Sequence, residues 1–298
     1  MTAPTAAERL ARPPLARRLR GSLIVRGSLS SRSGTVGVVL FALLLGLVLI
    51  GPFFKPYSPT APLGLPFDHP SGSHLLGLDS LGRDVLSRFL VGGRVLLGVA
   101  FLATLLAYVV GIVVGMAAAY RRGGVDLVTV GIVDLFISFP PIVFVLLLVA
   151  GAGRGLVIVT LAIAAVHAPR VVRIVRAVTF DVATREFVEA AVARGESFAS
   201  ILRRDILPNI LTPVLADFGI RLSGSVILFA SLSYLGLGQS PPASDWGLMI
   251  SENQARLLVQ KWVIVAPAVA IALLTVSVNL AADSIARSVG RAIVSRGV

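Results

Sequence analysis

The chain of 298 residues contains no cysteine, only two lysines (Lys55 and Lys261), three histidines and two tryptophans, and only 14% of it is charged. Without cysteine there is no disulfide framework, no thiolate metal site and no cysteine nucleophile. The charge content is well below the about 25% of soluble domains, which argues against a disordered chain, a coiled coil and an ordinary soluble enzyme. Phosphate-cradling Gly-x-x-x-x-Gly-Lys-Ser/Thr is missing, as are His-Glu-x-x-His and Gly-x-Ser-x-Gly, so neither ATP binding nor these hydrolase chemistries is expected of this chain. What is present is apolar: 56% of residues are hydrophobic and the mean hydropathy is +0.90. The remaining charge is lopsided, with 27 Lys+Arg against 15 Asp+Glu. A basic excess suits either nucleic acid or a membrane, and its placement decides between them.

A bilayer core of about 30 Å takes about 20 apolar residues as a helix. Six stretches qualify, beginning with the uncharged Thr35–Phe54, whose apolar core is too long for a signal peptide. Val95–Tyr120 follows, with Gly111-x-x-x-Gly115 spaced for a close helix contact. The third, Val125–Ala150, carries Asp134 and a Phe139-Pro140 step where a kink is expected. The fourth, Leu156–Ala168, has a helical pattern that continues through Arg170, Arg173 and Arg176. The fifth, Ile210–Leu235, contains Asp217 and Arg221, spaced i,i+4 for a local ion pair. The sixth is Val263–Ala286. With the N-terminus in the cytoplasm, the cytoplasmic segments hold 19 basic residues and the outer ones 7. That split obeys the positive-inside rule, so the net charge of +12 reads as a topology signal. Nucleic acid is not an expected partner; the lipid bilayer is.

The longest cytoplasmic connection, 169–209, is nearly free of Gly and Ser and has helical periodicity. It contains Arg185-Glu-Phe-Val-Glu-Ala-Ala-Val-Ala-Arg-Gly195 and, further on, Ile206-Leu-Pro-Asn209. Glu186 to Ala191 is a helix former, Gly195 suits a left-handed cap, and Pro208 is expected to stop a second short helix. Two short helices about a Gly turn form a compact knob, on which small Ala190 and Ala191 permit close approach by a partner.

Glu189-Ala190-Ala191, Gly195 and Leu207-Pro208, set between spans four and five on the basic side, resemble the EAA loop of binding-protein-dependent ABC importers. Further segments are similar to the C-type permease subunit of the dipeptide/oligopeptide/nickel branch. These are His74 through Arg88, Gly93-Arg94, Tyr120 with Gly123-Gly124-Val125-Asp126, Val133-Asp134, Phe139-Pro140, Leu235-Gly-Leu-Gly238, Pro241-Pro242 and Trp246-Gly247. The resemblance spans residues 34–286. It implies an all-α integral membrane protein, a six-helix type I ABC importer transmembrane domain. The implied divisions are a basic cytoplasmic tail (1–34), a first helix with outer loop (35–92), the transmembrane domain with its coupling loop at 181–209 (93–287), and a cytoplasmic tail (288–298).

The resemblance further implies a permease subunit in a bacterial plasma (inner) membrane with both termini cytoplasmic, working with a homologous B-type permease, two cytoplasmic ABC ATPase subunits and an extracytoplasmic substrate-binding protein. Peptides are the first expected solute, with nickel or another small solute as the alternative. No cofactor or metal is expected on this chain, because ATP and Mg would sit on the ATPases. Glu186, Glu189, Ala190, Ala191, Arg194, Gly195, Leu207 and Pro208 would contact the ATPase. Asp134, Phe139, Pro140, Asp217 and Arg221 are candidates for the translocation path, although a purely structural pair is open for Asp217 and Arg221. Arg83, Asp84 and Trp246 are candidates for docking the binding protein. Arg194, Glu196 and Asp205 depart from the family pattern, and two of these changes add or move charge on the docking surface. The rival is a self-contained secondary transporter, for which Asp134, Asp217 and Asp283 would have to bind the coupling ion.

Overall fold

The computed structural model describes residues 32–294; the rest of the two expected tails, 1–31 and 295–298, lies outside the described residues. The elements are α1 (Arg32–Ile50, extended by a 3-10 turn Gly51–Phe54), α2 (Val85–Arg121), α3 (Gly123–Ser138), α4 (Pro141–Ala152), α5 (Leu156–Ala183), α6 (Glu186–Ala193), α7 (Phe198–Ile201), a π-helical turn Leu202–Ile206, α8 (Leu207–Tyr234), α9 (Trp246–Asn253) and α10 (Trp262–Val294). Among the described residues there is no β-strand, only the isolated bridges Pro62 to Arg83 and Leu78 to Asp84.

Among the described residues five continuous helices are long and apolar enough to cross a bilayer: α1, α2, α5, α7–α8 and α10. Helix α2 starts ten residues before the expected span because the Asp84 carboxylate accepts from the Ser87 N–H at 2.8 Å and caps it. Its 37 residues extend about 55 Å, so part of it stands clear of the bilayer. The third expected span is not one straight helix. Helices α3 and α4 meet at a 92° bend, where Phe139 is extended ahead of Pro140, as steric conflict with a following proline demands. Helix α5 runs through Arg170, Arg173 and Arg176 to Ala183, with Pro169 inside it. Pro208 does not stop the next helix, contrary to the sequence expectation. It occupies the first turn of α8 directly after the π turn, where a missing N–H is tolerated, and the Asn209 side-chain amide donates to Asp205 O at 2.6 Å.

Two apolar cores result. One gathers Leu96, Val99 and Ala103 of α2 with Ile163, Val226, Phe229, Trp246 and Leu274. The other gathers Tyr108 and Met116 with Val171, Val175, Val188, Ala191, Ile201, Ile206 and Ile210, and ties the knob to the membrane helices. Gly111 and Gly115 do lie at a close contact: a Cβ on Gly111 would sit 2.4 Å from Val171 Cγ1, and one on Gly115 2.9 Å from Val175 Cβ. Gly37 packs in the same manner against Leu280 of α10, and Arg287 donates to Ser33 Oγ at 3.2 Å. Gly111→Leu is expected to destabilise the chain by about 1–3 kcal/mol or more through overpacking, read as a lowered thermal midpoint of the detergent-purified protein. Gly98→Leu, at a position with nothing within 4 Å, is the silent control.

Candidate functional site

Helix α6 is amphipathic over two turns. Val188 and Ala191 face inward, at 2% and 0% exposure, and pack into the second core. Glu186, Phe187, Glu189, Ala190 and Val192 face outward. Ala190 therefore presents the small surface expected of the pair, whereas Ala191 is an anchor within its own chain, because residues three apart with Val188 share the inner face. Gly195 adopts φ +73°, its N–H donates to Val192 O at 2.9 Å and the Glu196 N–H donates to Ala191 O at 3.2 Å. This is the glycine-dependent helix ending foreseen from the sequence. A Cβ at Gly195 would meet nothing within 4 Å, so the demand is on backbone conformation and not on space.

Arg194 Nη2 donates to Glu196 Oε1 at 2.7 Å, and the Ser200 hydroxyl donates to Glu196 Oε2 at 3.1 Å. The guanidinium holds the Glu196 carboxyl below the usual carboxylate range, helped by Ser200. Two of the three residues noted as departures, Arg194 and Glu196, thus pair with each other inside the loop. Leu207 is half-buried against the second core and Pro208 is exposed, so the knob continues into α8 without a break.

At the other end of the bundle the docking candidates are corrected. Arg83, Asp84 and Trp246 are 2%, 0% and 0% exposed and offer no side chain to a docking surface. They hold the outer segments together. Arg83 bonds Asp79 Oδ2 and Glu252 Oε2, each at 2.8 Å. Arg88, which the sequence reading did not single out, bridges the same two carboxylates and donates to Ala243 O at 3.1 Å. Asp84 accepts from His74 Nδ1 at 3.1 Å as well as capping α2. The Trp246 indole donates to Phe89 O at 2.8 Å and stacks on Phe89 at 5.4 Å between centroids. The loops before α2 and around α9 form one clamp, with two guanidiniums and two carboxylates at its centre.

Asp245 caps α9 by accepting from the Leu248 N–H at 3.1 Å and also accepts from Ser233. Burial pushes its carboxyl above the usual range against those donors. A raised folded-state value favours the neutral form, so Asp245's contribution to stability is complete below the ordinary carboxylate range and falls as pH rises through the folded value. Asp245→Asn keeps an acceptor for the cap and removes the charge. Its thermal midpoint relative to the parent is expected to climb as pH rises above the ordinary carboxylate range; a difference that stays constant with pH would contradict the assignment.

Within the bundle, Arg221 and Asp217 form the expected pair, at 3.1 and 3.2 Å, and the Tyr108 hydroxyl of α2 donates to Asp217 Oδ2 at 2.6 Å. Asp134 pairs with Arg173, both more than half exposed, and Asp126 pairs with Arg176, so α3 is tied to α5 at two points. Phe139 and Pro140 are exposed at the bend, with Phe144 6.1 Å from Phe139 between centroids. Asp283 is exposed on α10. Of the three carboxylates open to the secondary-transporter reading, Asp134 and Asp217 are thus each paired with an arginine.

Residues 111–294 match the family model "Binding-protein-dependent transport system inner membrane component". The chain belongs to this family of ABC importer permeases. Among curated relatives, the glutathione transport system permease protein GsiD of Pectobacterium atrosepticum is 35% identical over 216 residues, 72% of either chain. That of Escherichia coli O1:K1 is 36% identical over 216 residues, 72% of this chain and 71% of the relative. These similarities place the permease in the dipeptide/oligopeptide group. In fold it is similar to the MetNI methionine ABC transporter in an inward-facing conformation, with TM-score 0.55 and 22% identity over 66% of this chain and 94% of that one. The family match begins inside α2 and takes in α3–α10, including the whole knob.

Proposed function

We propose that this permease imports small peptide-like solutes, with α6 and the turn after it as the element through which ATP hydrolysis on partner subunits drives translocation. The observation that supports it most directly is the knob itself: an ordered two-turn helix with Glu186, Glu189 and Ala190 outward, locked by a left-handed glycine and packed onto α2, α5 and α8 through Val188, Ala191 and Ile206. A surface anchored that firmly moves the helices beneath it when pushed. Closure of two cytoplasmic ATPases would tilt α5 and α8 together, with Pro169, the π turn and Pro213 as the points where the helices yield. Hydrolysis would return them.

The assembly comprises this chain, a homologous permease, the two ATPases and an extracytoplasmic binding protein. The arginine-rich side, with the knob and both termini, faces the cytoplasm, as the positive-inside rule supports. Peptide-like cargo is favoured because the curated relatives are named for glutathione transport.

The test is reconstitution of these five subunits, with the partners taken from neighbouring genes, in proteoliposomes. ATP-dependent uptake of labelled glutathione or a dipeptide, dependent on the binding protein, is the expected result. Uptake by this chain alone driven by a proton gradient would overturn the reading in favour of a secondary transporter, and uptake of nickel but no peptide would overturn the cargo.

A further inference from the structure

We infer that Arg170, with His167 and Arg221 beside it, forms an intramembrane contact for a carboxylate of the transported solute; the inference rests on the permease reading above. Arg170, counted from the sequence with the cytoplasmic connection, instead lies 14 residues into α5, about 21 Å from its outer end at 1.5 Å per residue, hence inside a bilayer core of about 30 Å. Its guanidinium does not reach toward the knob and the aqueous side. Nη1 donates back to Val166 O at 2.9 Å, one turn deeper, next to the turn loosened by Pro169.

Among the described residues Arg173 and Arg221 each have a carboxylate, Asp134 and Asp217, whereas no carboxylate lies within ion-pair distance of half-buried Arg170. The Arg221 and Arg173 charges both bear on it. One turn earlier His167 is 7% exposed with neither ring nitrogen partnered. Its ring faces Gly224 of α8, where a Cβ would stand 3.3 Å from Cε1, and the charges of Arg170, Arg221 and Asp217 all reach it.

Charge at this depth is expensive and marks either a fixed partner or a substrate path. The set of three arginines and two aspartates leaves one positive charge over, so a ligand held here would be anionic. A planar guanidinium matches a carboxylate in bidentate fashion, and a peptide carries one at its C-terminus.

The experiment is equilibrium dialysis of labelled glutathione against the assembled importer in nanodiscs without binding protein, competed by unlabelled glutathione or by its diethyl ester. The ester is expected to compete at least tenfold more weakly against the parent. Arg170→Gln is expected to weaken glutathione binding at least tenfold, and Arg170→Lys less than Arg170→Gln. Equal competition by the ester, undiminished binding by Arg170→Gln, or no glutathione binding by a parent importer that performs ATP-driven uptake would each overturn the inference. So would loss of the partner permease from Arg170→Gln but not from Arg170→Lys, which would give Arg170 to a carboxylate of that subunit. If both variants fail to assemble, the ester comparison on the parent decides. Failure of ATP-driven uptake itself would instead strike at the permease reading.

Discussion

Glu189→Arg should reduce ATP-driven uptake by about a hundredfold or to background while the protein still inserts and keeps its thermal midpoint. Glu189 projects from the outer face of α6 in its first turn, where a carboxylate suits the helix dipole. Reversal changes the charge of the exposed face by two units without touching the inward Val188 and Ala191 that fasten the helix. Surface exchanges of this kind shift stability by about 0.5 kcal/mol or less, so a large loss of uptake separates coupling from folding. Gly195→Pro attacks the same element through the backbone, since proline is held near φ −65° and Gly195 sits at +73°. Uptake, membrane yield and co-purification of the ATPases are the measurements. Full transport by Glu189→Arg would remove α6 from the coupling path.

The second large effect is expected at the outer clamp. Arg88 is fully buried, and Arg88→Leu would leave Asp79 and Glu252 sharing Arg83 alone. Removing one partner of a buried charge set costs about 3–5 kcal/mol, far more than an exposed pair is worth. The thermal midpoint should fall steeply, and limited proteolysis should begin to cut within 55–84 and 236–245. Arg88→Leu combined with Glu252→Leu restores the balance of charge and should recover part of the loss. A double variant no better than the single one would contradict the network.

Hydropathy and the arginine distribution were enough to place the spans, because a bilayer imposes length and charge rules on each segment separately. The knob was equally legible: Glu186 through Gly195 specifies a short helix and its ending by local chemistry. The inward turn of Ala191 is also written in the sequence, through its spacing of three from Val188, which leaves Ala190 alone of the two alanines on the outer face. The break at Phe139-Pro140 was visible as a proline step; its 92° angle depends on how α3 and α4 pack and has no local signature. Arg83, Asp84 and Trp246 were set on an outer surface because they fall in an outer loop, yet burial there depends on Glu252, 164 residues beyond Arg88. The π turn before Pro208 and the missing counter-charge of Arg170 likewise follow from three-dimensional placement alone.

The glycine contacts between α2 and α5 have a consequence for the passage of the chain through the bilayer. Gly111 meets Val171 and Gly115 meets Val175, so residue numbers rise in the same direction along both helices. Two parallel neighbours oblige the chain between them to travel back through the full thickness, which makes the bent pair α3–α4 one complete crossing and not a loop that dips and returns. The crossings then number six, an even parity, and the antiparallel seam of Gly37 and Ser33 with Leu280 and Arg287 closes the circuit. Residues 32 and 294 are then expected on the face that carries the knob, and compartment-sensitive reporters attached at the two ends of the chain should give the same signal.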